Sequence, residues 1–239
     1  MKVRGERECK DCGTHWSYYD TGSVVCPGCG SIRSVGLDDR AEHTATTASL
    51  DLTTVRGLVD EVTLAELAEE VESVSADYVR RVGFIHGGDL LALDDVYLAA
   101  SELRHVAADL GRSMRVSDAE ERYFFALLAG ADEGDRPAPA EVPDSLRSAR
   151  GLAAAAAVDT YGTEMRRYLE DAPDRTVSRL LGTLDEHRKR VAALDGDVTP
   201  RTAERLVRVA VDLGRAVAED DEASLARAQE RLEELSVEV

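Results

Sequence analysis

From Thr63 onward the apolar residues recur at three- and four-residue steps, the interval that keeps them on one side of an α-helix. Leu64, Leu67, Ala68, Val71, Val74, Tyr78 and Val82 form the first such stripe, opened by the capping box Thr63-Leu-Ala-Glu66. It predicts a long amphipathic helix reaching Phe84 or His86 and broken at Gly87-Gly88. Asp94 or Asp95 caps the next, which carries Leu103, Val106, Ala107 and Leu110 and stops at Gly111, placed for a left-handed cap. Ser117-Asp-Ala-Glu120 is a second capping box, ahead of Tyr123, Phe124, Leu127 and Leu128. Pro137, Pro139 and Pro143 then interrupt the pattern with a long loop or a hinge.

The second half repeats the style. Asp144 caps a helix that runs through the alanines 153–157 to Leu169, and a run of small side chains predicts close contact with a neighbouring helix. Asp174 opens a stripe of Val177, Leu180, Leu181, Leu184 and Val191. Thr199-Pro200 pairs an N-cap with proline at the first helical position, followed by Leu206, Val209, Ala210 and Leu213 as far as Gly214. A last helix from Asp221 to Leu235 spaces Leu225, Ala228, Leu232 and Leu235 as heptads, able to dock on the bundle or to self-associate. With a short helix over Thr53 to Glu61, the expected fold is mainly α: a small N-terminal β ribbon and an all-α domain of six or seven helices.

Three segments are expected: a ribbon over 1–36, a linker over 37–52 and an acidic helical domain over 53–239, with halves 53–136 and 144–239. The linker rests on Ser34 to Ser49, a stretch short of large apolar residues that contains His43, read as a solvated loop histidine. The halves rest on LRHVAADLGR at 103–112 and LVRVAVDLGR at 206–215, identical at seven of ten positions. That match fits either two diverged helical repeats or two unrelated helices drawn from an Ala/Val/Asp/Arg-rich composition.

Every cysteine lies in the ribbon. Cys9, Cys12, Cys26 and Cys29 form C-x2-C, thirteen residues, then C-x2-C. Two tight turns of that spacing present four thiolates to one ion at about 2.3 Å, as tetrahedral zinc requires. Gly13 and Gly30 follow the pairs, where a turn folding its amides back toward sulfur needs positive φ, while Pro27 stiffens the second turn. Trp16, Tyr18, Val24 and Val25 are candidates for short strands between the turns. Two disulfides or four free thiols are the alternatives; the opening residues Met1 to Glu6 lack the apolar core of a signal peptide, which disfavours disulfides.

The C-x2-C-G and C-P-x-C-G pairs resemble the zinc ribbons of the transcription factor IIB type and, equally, the rubredoxin-type ribbon of rubrerythrins. The resemblance covers some 30 of the 239 residues and implies a metal at Cys9, Cys12, Cys26 and Cys29. The layout of a ribbon followed by a long acidic helical region is similar to uncharacterised zinc-ribbon proteins of halophilic archaea. A transcription-linked protein partner is what the first likeness implies.

Charge narrows the partners. The chain carries a net −18, yet residues 1–36 hold five basic against four acidic residues, so the remainder carries −19. Phosphate neutralisation needs clustered cations, and such a body disfavours direct nucleic-acid binding. Only Lys2, Lys10 and Lys189 stand among 29 basic residues. Abundant carboxylates with scarce lysine fit a cytoplasmic protein of a salt-rich cell, kept hydrated by its acidic surface. No apolar run approaches the roughly 18–20 residues of a membrane span.

Reaction chemistry finds little support. A rubrerythrin-like di-iron centre needs two Glu-x-x-His pairs, and Glu102-Leu-Arg-His105 is the one present. There is no P-loop, no H-E-x-x-H and no G-x-S-x-G. The expectation is a non-catalytic zinc protein serving interaction or regulation, with Trp16, Tyr18 and Tyr19 as an exposed aromatic surface for a partner. Iron-based electron transfer, rubredoxin- or rubrerythrin-like, is the alternative.

Overall fold

A computed structural model describes residues 1–238, with side chains as far as Ser236. Strands β1 (Lys2–Val3), β2 (Glu6–Cys9) and β3 (His15–Ser17), the turn α1 (Tyr18–Thr21), and strands β4 (Ser34–Gly36) and β5 (Ala41–Glu42) make the N-terminal part. A single turn α2 (Thr53–Arg56) and helix α3 (Leu64–Arg81) follow, then a hairpin β6 (Ile85–His86) and β7 (Asp89–Leu90). The body is completed by α4 (Asp95–Arg112), α5 (Asp118–Gly130), α6 (Arg147–Tyr168), α7 (Arg175–Ala193), α8 (Pro200–Glu219) and α9 (Glu222–Glu238). The fold is mainly α with small sheets near the N-terminus.

The capping chemistry sits where the sequence places it. Thr63 and Ser117 accept from the Glu66 and Glu120 amides and are bonded back by those glutamates. Asp94, Asp174 and Thr199 cap α4, α7 and α8. Asp144 does not cap α6; it begins a short 3-10 turn, Asp144–Leu146, and α6 starts at Arg147 without a side-chain cap.

Two glycines behave differently from expectation. Gly111 and Gly214 end no helix: α4 runs to Arg112 and α8 to Glu219, and neither glycine has positive φ. At Gly214 a Cβ would lie 2.0 Å from the Tyr161 hydroxyl oxygen, so its role is close helix packing. The two matching decapeptides therefore differ in place, one closing α4 and the other inside α8. Gly87 and Gly88, at φ +59° and +100°, break no helix, since α3 already ends at Arg81 and Ile85–His86 is a strand; they form the turn of the β6–β7 hairpin.

One buried cluster extends from Leu50 to Leu235 across both halves. Helix α6 packs against α4, α7 and α8, and Ala153, Ala154, Ala155 and Ala157 are buried there, so the alanine run does set a tight contact. Phe84 meets Tyr97 and Tyr161 edge-on, with ring centres 4.9 and 5.0 Å apart. The α9 stripe docks on the bundle, with Ala228, Leu232 and Leu235 buried. No helix is long and apolar enough to cross a membrane among the described residues.

Residues 37–52 are a strap fixed to the body. β5 pairs antiparallel with β1, and the Thr44 and Ala45 amides both donate to the Ile85 carbonyl, at 2.8 and 2.9 Å. Glu164 of α6 accepts from the Thr44 hydroxyl and the Phe84 amide, and Leu50 and Leu52 enter the core. His43 is half-buried, not solvated: its Nδ1 accepts from the Gly87 amide at 3.2 Å, and its ring lies 4.7 Å from Tyr19 and 5.2 Å from His86.

Candidate metal centre

The antiparallel sheet β3-β2-β4 holds the two cysteine turns side by side. In the first, the Gly13 amide donates to the Cys9 carbonyl at 3.0 Å and Gly13 takes φ +74°. In the second, the Gly30 amide donates to the Cys26 carbonyl at 2.9 Å and Gly30 takes φ +75°. The conformations match because the same task, bending a C-x2-C-G segment around an ion, has one cheap backbone solution. Gly28 lets the turns approach, since a Cβ there would lie 2.7 Å from the Thr14 hydroxyl oxygen.

Four sulfurs converge. Cys9 Sγ lies 3.6 Å from Cys29 Sγ, Cys12 Sγ lies 3.6 Å from Cys26 Sγ, and all four are within 4.8 Å of one another. Ligands about 2.3 Å from a tetrahedral centre stand about 3.8 Å apart. A disulfide would bring sulfurs to about 2.05 Å, and the four cysteines are free. The donor set thus fits one metal ion closed by four thiolates. Bound there, the ion supplies charge neutralisation and a cross-link between the turns.

Charge crowding points the same way. The Thr14 hydroxyl and amide draw the Cys12 thiol down to about 6. Cys29 is pushed up to about 12: the Ser31 amide works against the rise, but the sulfurs of Cys12 and Cys9 outweigh it. Neighbouring thiols that cannot all ionise together become four thiolates once a cation replaces their protons.

Cys9 and Cys26 are buried with Trp16, while Cys12 and Cys29 face solvent. Trp16 covers the site, its indole donating to the Ser23 carbonyl at 2.9 Å, so the expected exposed aromatic surface is absent. Tyr19 turns toward the body instead, donating to the Val3 carbonyl and stacking beside His43 and His86. Of the residues read as strand formers, Trp16 lies in β3, whereas Tyr18 begins α1 and Val24 and Val25 lie outside any strand. The third strand comes from Ser34–Gly36, whose single valine gives no alternation to detect.

The chain belongs to DUF7117, a family of unknown function. The family model matches residues 1–232, the ribbon and nearly all of the body together. No curated protein matches the chain, and no solved structure does. The family match thus adds no activity to the DUF7117 chain.

Glu102 and His105 of the Glu-x-x-His pair go separate ways. Glu102, 1% exposed, accepts from Tyr123 and from Arg150 at 3.2 Å and pairs with Arg136 at 3.4 Å. His105 Nε2 is buried without a hydrogen-bond partner, and burial pushes its pKa down to about 4. A carboxylate already tied to two guanidiniums is a poor metal ligand. Sequence reading missed this Glu102–Tyr123–Arg136–Arg150 network. Its one available signal was an arginine, Arg150, on the face of α6 that also carries buried alanines.

Proposed function

We propose that the protein is a non-catalytic zinc-binding module in which the ribbon recognises a protein partner, with the transcription machinery as the favoured class. The observation that carries this reading is the apolar surface beside the second cysteine turn. Val24 and Val25 lead into Cys26 and are 45% and 41% exposed; Ile32 leaves the turn and is 76% exposed. A fold stapled by metal spends no core on these side chains, and adjoining exposed apolar residues mark contact surfaces. The −18 charge, with three lysines in the chain, supports the cytoplasm of a salt-adapted cell as its setting.

Affinity capture at multimolar salt tests the reading with three proteins: wild type, Cys26→Ser, and Ile32→Asp, which leaves the ligands intact. Loss of the same partner from both variants supports it. Identical partner sets from all three overturn it. Solvent-facing Cys12 and Cys29 favour one second reading, a rubredoxin-like iron site exchanging electrons. Colourless protein holding one zinc per chain eliminates that reading.

A further inference from the structure

A cavity of about 470 Å3 opens between α8, α9 and the 138–140 segment, lined by no ribbon residue. Its walls carry four arginines, Arg201, Arg205, Arg208 and Arg231, against two glutamates, Glu204 and Glu234. Arg201, Arg205 and Arg208 are spaced by four and three residues, which puts them on one face of α8. In a chain of net charge −18, a concave surplus of cations runs against the general field of the molecule.

The glutamates are already committed. Glu204 Oε2 lies 3.3 Å from Arg150 Nη2 and 3.4 Å from Arg136 Nη2, so the guanidiniums of buried Arg150 and half-buried Arg136 neutralise it from behind. Glu234 pairs with Arg205 at 3.2 Å, and Arg231 pairs with Asp212. Arg208 Nε lies 3.6 Å from Glu204, beyond hydrogen-bond distance, and Arg201 makes no ion pair among the described residues. A guanidinium has five N–H donors in a planar fork that matches phosphate oxygens. Arg201 and Arg208, neither within hydrogen-bond distance of a carboxylate among the described residues, leave much of that capacity unused. The volume falls within the range of about 300–1,000 Å3 usual for small-molecule sites.

We propose that this cavity binds a small phosphorylated molecule through a diphosphate group held by Arg201, Arg205, Arg208 and Arg231. Four cations distributed around one concavity suit a multivalent anion better than a single carboxylate, and the shape of the guanidinium favours phosphate. Because the ribbon takes no part, this site stands or falls separately from partner recognition.

Isothermal titration of the full metal-loaded chain with pyrophosphate at low ionic strength tests it. One site per chain is expected, with at least tenfold weaker binding in Arg201→Gln/Arg208→Gln. Arg80→Gln/Arg112→Gln, which removes the same charge from exposed positions outside the cavity, leaves affinity unchanged. Malonate binds at least tenfold more weakly than pyrophosphate. Absence of saturable heat, equal losses in the two double variants, or equal affinity for malonate would each overturn the proposal. Glu204→Gln lifts the remaining repulsion and is expected to tighten pyrophosphate binding several-fold.

Discussion

The ribbon buries Cys9, Trp16 and Cys26 around its cysteine turns, whereas the body buries a continuous cluster of leucines, valines, alanines and aromatics from Leu50 to Leu235. Each fully buried Leu or Val contributes about 1.5–3 kcal/mol, so the body accumulates stability from many small terms. The ribbon has almost none of these to draw on, and an isolated segment of its size falls below what a hydrophobic core can hold. Four converging thiols give it a place where metal–sulfur bonds can supply the order that the body draws from apolar burial. Between them lies a third kind of contact: the β1–β5 pair, the Lys2–Asp171 ion pair at 2.7 Å, and Tyr19 packed with His43 and His86.

The largest effect is expected at the cysteines. Structural zinc in comparable small modules supplies about 10–16 kcal/mol of apparent folding energy. Cys9→Ser, or removal of metal by a chelator, is expected to abolish hydrogen-exchange protection in β2, β3 and β4 while α4, α6 and α8 keep theirs. Loss of protection throughout would show that the body depends on the ribbon.

A smaller effect tests the body alone. Arg150 is 3% exposed, and Arg150→Met leaves Glu102 buried with Arg136 as its remaining cation. Removing one partner of a buried ion pair costs about 3–5 kcal/mol, to be read from denaturant unfolding with metal content unchanged. Gly151→Ala is next: its Cβ would stand 2.1 Å from the Gly196 carbonyl oxygen, a backbone atom that cannot swing aside. Such overpacking costs about 1–3 kcal/mol. Thr63→Ala and Ser117→Ala each remove a cap, worth about 0.5–2 kcal/mol, and a lowered Tm at constant metal stoichiometry checks them.

Acid sharpens the contrast at the junction. Burial and the neighbouring His86 hold His43 below the usual imidazole range, and burial takes His105 from 6.5 down to about 4. A histidine depressed in the folded state binds its proton more readily when unfolded, so stability is full above the unfolded pKa of about 6.5 and falls as pH drops below it. Protonating His43 also places an N–H against the Gly87 amide that its Nδ1 now accepts. His105→Gln is expected to flatten the fall in unfolding free energy between pH 6.5 and 4. His43→Gln should instead reduce acid-induced loss of exchange protection in the 41–45 strap. An unchanged pH profile in both variants would contradict the assignment.

The legible and illegible parts of the sequence follow from the range of the interactions. Thr63, Glu66, Ser117 and Glu120 act within one helical turn, and C-x2-C-G within one knuckle, so their patterns survive as local text. Gly214 reads as a cap locally, yet Tyr161, more than fifty residues away, decides its role. The strap has the same character: residues 37–52 look like a linker because Thr44, Leu50 and Leu52 find their partners in Ile85, Glu164 and the core. The sulfur site was readable because its ligands lie in two short turns. The arginine cavity was not, since Arg231 joins the α8 arginines through tertiary packing alone.

X-ray absorption at the metal edge of the purified protein reads the ligand set of the cysteine site. One ion per chain is expected, with four sulfur ligands at about 2.3 Å and no nitrogen or oxygen in the first coordination sphere. Fewer than four sulfurs, or metal-free protein whose ribbon amides remain protected, would contradict it.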